Sequence, residues 1–195
     1  SWSLLRRGVR SRVAGMKHGV LMIAVVALVG CGGEKEAQHS QPKAEARKPK
    51  TSDVLEKAIR EAANMPTGEL TKADLEKVTR LDLQSKKLTE VPKGLEKLTQ
   101  LTILGLGSNK LTDVSGLEKL TQLKVLALGS NQLTEVPKVL EKLTQLTYLT
   151  LSNNELTNVT GLEKLTQLEG LNLNINRLTD VKGLEKLTNL SKLHL

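Results

Sequence analysis

Few residues in this chain have the chemistry to be reactive centres. The single cysteine, Cys31, follows Leu28-Val29-Gly30 at the end of an apolar run from Val20 to Val29, and its thiol is the one soft nucleophile present. The three histidines, His18, His39 and His194, fall near the start, in a polar stretch and near the end, so no metal-ligand spacing relates them. No glycine-rich phosphate loop, dinucleotide fingerprint or nucleophile elbow occurs. These features assign no catalytic residue, no metal site and no cofactor, and they exclude an enzyme built from the residues present. Asn158-Val159-Thr160 and Asn189-Leu190-Ser191 have the spacing of glycosylation acceptors but read as ordinary surface residues.

The context of Cys31 gives its thiol a specific use. Met16 and Lys17 open a short basic start, the apolar run is too short to span a bilayer as a helix, and small residues close it, as in a cleaved secretory signal. Leu28-Val29-Gly30-Cys31 resembles a bacterial lipobox, which implies lipidation of Cys31 as the first residue of the mature protein. The resemblance implies a lipid-anchored protein of the cell envelope, held on the cytoplasmic or outer membrane and facing periplasm or exterior. Residues 16–30 are then the signal peptide. Residues 1–15, with Trp2 and four arginines, read as sequence upstream of the true start; Arg6-Arg7 fits a twin-arginine signal poorly.

That division changes the meaning of the charge. The formal net charge is +8, yet five of the 29 basic residues and none of the 21 acidic ones fall in the first thirty, which leaves 24 against 21. Interspersed Lys and Glu near balance make an ordinary soluble surface, so nucleic acid is excluded as a partner.

The rest of the chain is repetitive. Leu75, Leu98, Leu120, Leu143, Leu165 and Leu187 recur at steps of 23, 22, 23, 22 and 22 residues, the period of a solenoid. Each unit carries L-x-x-L-x-L-x-x-N-x-L, as at Leu101, Leu104, Leu106, Asn109 and Leu111 and again at Leu123, Leu126, Leu128, Asn131 and Leu133. In Leu-x-Leu both leucines point to one face of a strand and the residue between them to the other. A unit this short has no room for a crossover helix, so the chain must return by a 3₁₀ or irregular turn and the strands stack in parallel. Each buried Leu or Val contributes about 1.5–3 kcal/mol before chain entropy is charged, so a unit holds only against its neighbours.

The pattern resembles the leucine-rich repeat family, in its short internalin-like bacterial class, over residues 75–195: five full units and a truncated sixth. The resemblance implies an α/β solenoid with a parallel β-sheet on its concave face and short returns on the other side. Asn109, Asn131, Asn154 and Asn176 stand where the strand turns away, and a side-chain amide there can satisfy unpaired backbone groups. In the family this asparagine forms a buried ladder, a structural role. Lys86 replaces it in the first unit, as at an exposed edge. Pro92 and Pro137 mark the return side, where Gly94, Gly116, Gly161 and Gly183 suit a tight backbone approach; Val139 takes that place in the third unit, with a local distortion expected.

Ahead of the repeats, residues 31–50 are rich in Gly, Glu, Lys, Gln, Ala and Pro and read as a disordered tether, with a reach of about 25 Å. Residues 51–74 read as a helical N-terminal cap. Thr51-Ser52-Asp53 precede an amphipathic stripe of Val54, Leu55, Ala58, Ile59 and Ala62, and Thr71-Lys72-Ala73-Asp74 is a capping box leading into Leu75 and Val78. At the far end Leu190, Leu193 and Leu195 would face a missing neighbour, so the chain is expected to be a fragment of a longer protein.

The positions between the strand leucines line the concave face in this family. One column is Arg80, Ile103, Val125, Tyr148, Gly170 and Lys192; the next is Asp82, Gly105, Ala127, Thr150, Asn172 and His194; a third is Gln84, Gly107, Gly129, Ser152 and Asn174. Exposed Ile103 and Val125 beside Tyr148 make an apolar contact patch, and Arg80, Asp82, Thr150, Asn172 and Asn174 supply polar contacts around it. The expected partner is a protein or peptide. Two other readings remain open: a structural spacer of the envelope with no specific ligand, or the recognition part of a longer protein with a further C-terminal domain.

Overall fold

A computed structural model describes residues 50–195 of the chain. The upstream stretch, the signal peptide, Cys31 and the tether up to residue 49 lie outside the described residues. Two helices, α1 (Thr51–Ala62) and α2 (Lys72–Lys77), precede six three-residue strands: β1 (Arg80–Asp82), β2 (Ile103–Gly105), β3 (Val125–Ala127), β4 (Tyr148–Thr150), β5 (Gly170–Asn172) and β6 (Lys192–His194). The strands form one parallel sheet in chain order, each pairing with the next. Register follows the repeat: Leu81, Leu104, Leu126, Leu149, Leu171 and Leu193 stand side by side across all six.

Burial alternates along each strand because the middle leucine faces inward. In the second unit Leu101, Leu104, Leu106, Leu111, Val114, Leu117 and Leu120 are completely buried, and the same positions form one continuous core from α1 to Leu187. Each unit completes its neighbour's core, so the array is held by the sum of its interfaces.

The returns are 3₁₀ segments at Leu95–Lys97, Lys138–Lys142, Leu162–Lys164 and Leu184–Lys186. The glycine before three of them adopts φ near +102°, as Gly161 does, a conformation that penalises any side chain. A Cβ placed on Gly161 would stand 3.6 Å from Val136, an ordinary contact. Conformation, and not the close approach expected from the sequence, therefore selects glycine there. Val139 cannot follow that path, and its return begins two residues earlier, from Lys138 and not from Leu140, as a longer 3₁₀ segment.

The glutamate of each Leu-Glu-Lys also depends on that glycine. Glu96, Glu118, Glu163 and Glu185 accept a hydrogen bond from the N–H of Gly94, Gly116, Gly161 and Gly183 at 2.7–2.8 Å. Backbone donors thus hold the Glu163 carboxyl below its ordinary range, helped by Lys186 and Lys164. Glu141, in the Val139 unit, pairs instead with Lys164 of the following return.

At the N-terminal end α1 buries Leu55, Ala58 and Ile59 against the first repeat, while Ala62 stays exposed and Ala63 packs inward in its place. The start of α1 differs from the sequence expectation. Lys50, one residue before the Thr-Ser-Asp run, is the N-cap, and Asp53 reaches back to accept from its N–H at 3.2 Å. The Asp53 carboxylate reaches further than the hydroxyls, so it takes the terminal donor from inside the helix. In α2 the box closes as read: Thr71 accepts from the Asp74 N–H at 3.3 Å and Asp74 from the Thr71 N–H at 3.2 Å. No helix among the described residues is long and apolar enough to cross a membrane.

Candidate binding face

The open face of the sheet rests on four asparagines, of which Asn109, Asn131 and Asn154 are buried and Asn176 is half-buried. Asn131 Oδ1 accepts from the Leu111 N–H at 3.0 Å, and its Nδ2 donates to the Leu106 and Leu128 carbonyls at 3.1 and 2.9 Å. Asn109, Asn154 and Asn176 repeat this arrangement, each tying its own strand end to the preceding unit. Asn109 also accepts from the Lys86 N–H at 3.0 Å, so the exposed first edge is tied down although Lys86 has no amide of its own. These bonds satisfy donors and acceptors that the turning backbone would otherwise bury unpaired.

Above that base, Ile103, Val125 and Tyr148 are direct neighbours on β2, β3 and β4. Ile103 and Val125 are half-buried, not exposed, whereas Tyr148 is 41% exposed. The reason is lateral: on a parallel sheet with strands about 4.8 Å apart, β-branched side chains in register cover one another. Tyr148 leans the other way. Its ring lies over Gly170, where a Cβ would come within 2.6 Å of Cδ1, and its hydroxyl donates to Glu169 at 3.2 Å. That bond and the nearby carboxylate raise the pKa of the phenol.

The other glycines of the face are covered in the same manner. A Cβ on Gly105 would stand 3.0 Å from the Asp82 carboxylate and 3.1 Å from the Gln84 amide, and one on Gly129 2.9 Å from the Ser152 hydroxyl. Asp82 also accepts from the Gln84 N–H at 2.9 Å, and Asn172 from the Asn174 N–H at 3.0 Å. Arg80 and Asp82 lie on β1, whereas Thr150, Asn172 and Asn174 lie on or just beyond β4 and β5. The polar candidates therefore form two separate groups, roughly three strand spacings of 4.8 Å apart.

Around Tyr148 the structure adds residues that the candidate site lacks. Tyr148, Thr150, Gly170, Asn172, Lys192 and His194 line one cleft of about 200 Å³. The signal for it was the gap at Gly170 between Tyr148 and Lys192 in one column, legible only once a ring is seen to fill it. Among the described residues no group of three or more His, Cys, Asp or Glu side chains could hold a metal ion.

Residues 121–164 match the family model for leucine-rich repeats in two copies. No curated protein matched the chain in a sequence comparison. Among solved structures, an internalin C2 from Listeria monocytogenes is 30% identical with a TM-score of 0.68, over 73% of this chain and 63% of that one. An internalin (InlF) from the same species is 31% identical with a TM-score of 0.66, over 73% of this chain and 42% of that one. A leucine-rich repeat protein of Leptospira interrogans is 32% identical with a TM-score of 0.59, over 63% and 32% of the two chains. The chain thus spans less than two thirds of each of these proteins. Its described part has the fold of a leucine-rich repeat solenoid and is similar to bacterial internalins.

Proposed function

We propose that this chain is a lipid-anchored protein of the bacterial cell envelope whose repeats bind another protein or peptide across the open sheet face. The observation that carries the binding reading is the in-register column of Ile103, Val125 and Tyr148, apolar side chains directed outward from consecutive strands. An aromatic residue beside aliphatic ones, framed by polar groups, is the composition of a contact hot spot. The anchor rests on the Leu-Val-Gly-Cys sequence ending at Cys31. A second reading, an envelope spacer with no specific ligand, draws support from the small, neutral floor of Gly105, Gly107, Ala127 and Gly129.

A pull-down from envelope extract decides between them, with the wild-type chain and Tyr148→Ala/Val125→Ser as baits of matched fold. Loss of one or more recovered proteins from the double variant is expected. Equal recovery by both baits would favour the spacer. For the anchor, Cys31→Ser removes the sulfur that a thioether requires and should abolish lipid labelling, leaving an unprocessed precursor. Palmitate incorporated into the Cys31→Ser protein would exclude lipidation at this residue.

A further inference from the structure

The cleft beside Tyr148 is well supplied with hydrogen-bond donors. The one carboxylate at its margin, Glu169, already accepts from the Tyr148 hydroxyl at 3.2 Å, so Tyr148 presents its ring to the cleft. Asn172 spends its carbonyl oxygen on the Asn174 N–H at 3.0 Å, which leaves its Nδ2 hydrogens for a ligand. Lys192 has no ion pair among the described residues, and it stands with His194 on β6, exposed at the same cleft. Thr150 adds a hydroxyl in register with Asn172. Every side-chain group offered to a ligand there can donate, one is a cation, and the Tyr148 ring covers Gly170 beside them.

We propose that this cleft takes the carboxylate of a glutamate or aspartate side chain from an extended segment of the partner, laid across β4, β5 and β6. The inference rests on the binding reading above and specifies the partner's chemistry. A cleft of about 200 Å³ is smaller than the roughly 300–1,000 Å³ of small-ligand pockets and suits one side chain. Lys192 and the Asn172 amide bind the carboxylate oxygens through charge-assisted hydrogen bonds, while the acid's methylene groups lie against the Tyr148 ring. The cleft runs open across neighbouring strands, which accommodates a continuing chain on either side and favours a side chain over a terminal carboxylate.

The test uses the full-length chain, ¹⁵N-labelled in detergent micelles, and three short probes: acetyl-Gly-Ser-Glu-Ser-Gly-amide, the same peptide with Gln for Glu, and acetyl-Gly-Ser-Gly-Ser-Gly with a free C-terminal carboxylate. The Glu peptide is expected to shift the amide signals of Gly170, Asn172, Lys192 and His194 saturably, binding about tenfold more tightly than the Gln peptide. Lys192→Gln, an exposed change that leaves the core intact, should erase the difference between them. Equal shifts from the Glu and Gln peptides would overturn the carboxylate assignment while leaving the binding face standing. Preference for the free C-terminus would replace the side chain with a chain end. No shift at the cleft with any probe would overturn the inference outright, and the binding reading would still be decided by the Tyr148→Ala/Val125→Ser bait.

Discussion

At the position before each ladder asparagine the backbone turns left-handed, with φ of 56° at Ser108, 58° at Ser130, 52° at Asn153 and 57° at Ile175. Ser and Asn tolerate that region because short polar side chains can bond locally; Asn153, for example, donates to the Ser130 hydroxyl at 3.0 Å. Ile175 has no such means. It is β-branched, 75% exposed and held in place by Asn176, which follows it. A strained residue with almost no burial to offset the strain is a stabilisation site. Ile175→Asn should raise stability by about 1 kcal/mol, visible as a higher urea midpoint with an unchanged slope. A lowered midpoint would mean that Ile175 makes contacts outweighing its backbone strain.

Short elements in this molecule are set by a few ionised hydrogen bonds, and α2 shows how that makes them sensitive to pH. The Thr71 hydroxyl, then Lys77 and the Thr71 N–H, hold the Asp74 carboxyl below its ordinary 3.8. Folding therefore favours the ionised form. The contribution is complete above 3.8 and is lost as pH falls through the lower folded value. Asp74→Asn should be less stable than wild type at neutral pH, and the gap in melting temperature should close as the pH is taken well below 3.8. A gap constant with pH would show that the substitution acts through packing alone. The returns follow the same logic: Glu163, bound to the Gly161 N–H, stabilises its turn more when ionised than when protonated.

For the whole molecule the decisive contact is between helix and array. Leu55 reaches to 3.5 Å from where a Cβ on Gly94 would stand, and α1 shares one core with the first unit. An internally repeated stack exposes an apolar face wherever its covering element is removed. Deletion of residues 51–74 from the chain should therefore bare Leu81, Leu83 and Leu95, all now buried, and lead to aggregation or earlier melting. A monomeric deletion variant on size-exclusion chromatography, melting at the wild-type temperature, would show that these helices cap nothing.

What the sequence determined is whatever its period controls. Steps of 22 and 23 residues return each Leu-x-Leu to the same place, so the pairing of Leu104 with Leu126, the inward and outward columns and the positions of the four asparagines were legible before any coordinates. Covalent spacing imposes register. Tertiary structure decided what depends on a neighbour 22 or so residues away. Ile103 and Val125 are half-buried because they cover each other across strands, Tyr148 lies flat because Gly170 leaves room and Glu169 holds its hydroxyl, and the cleft toward Lys192 and His194 forms beside that ring. Asp53 caps α1 from within, and Val139 lengthens its return for want of a glycine's φ. A repeat dictates which residues become neighbours, but the direction each side chain then takes follows from the space and the hydrogen-bond partners found there, which differ from unit to unit.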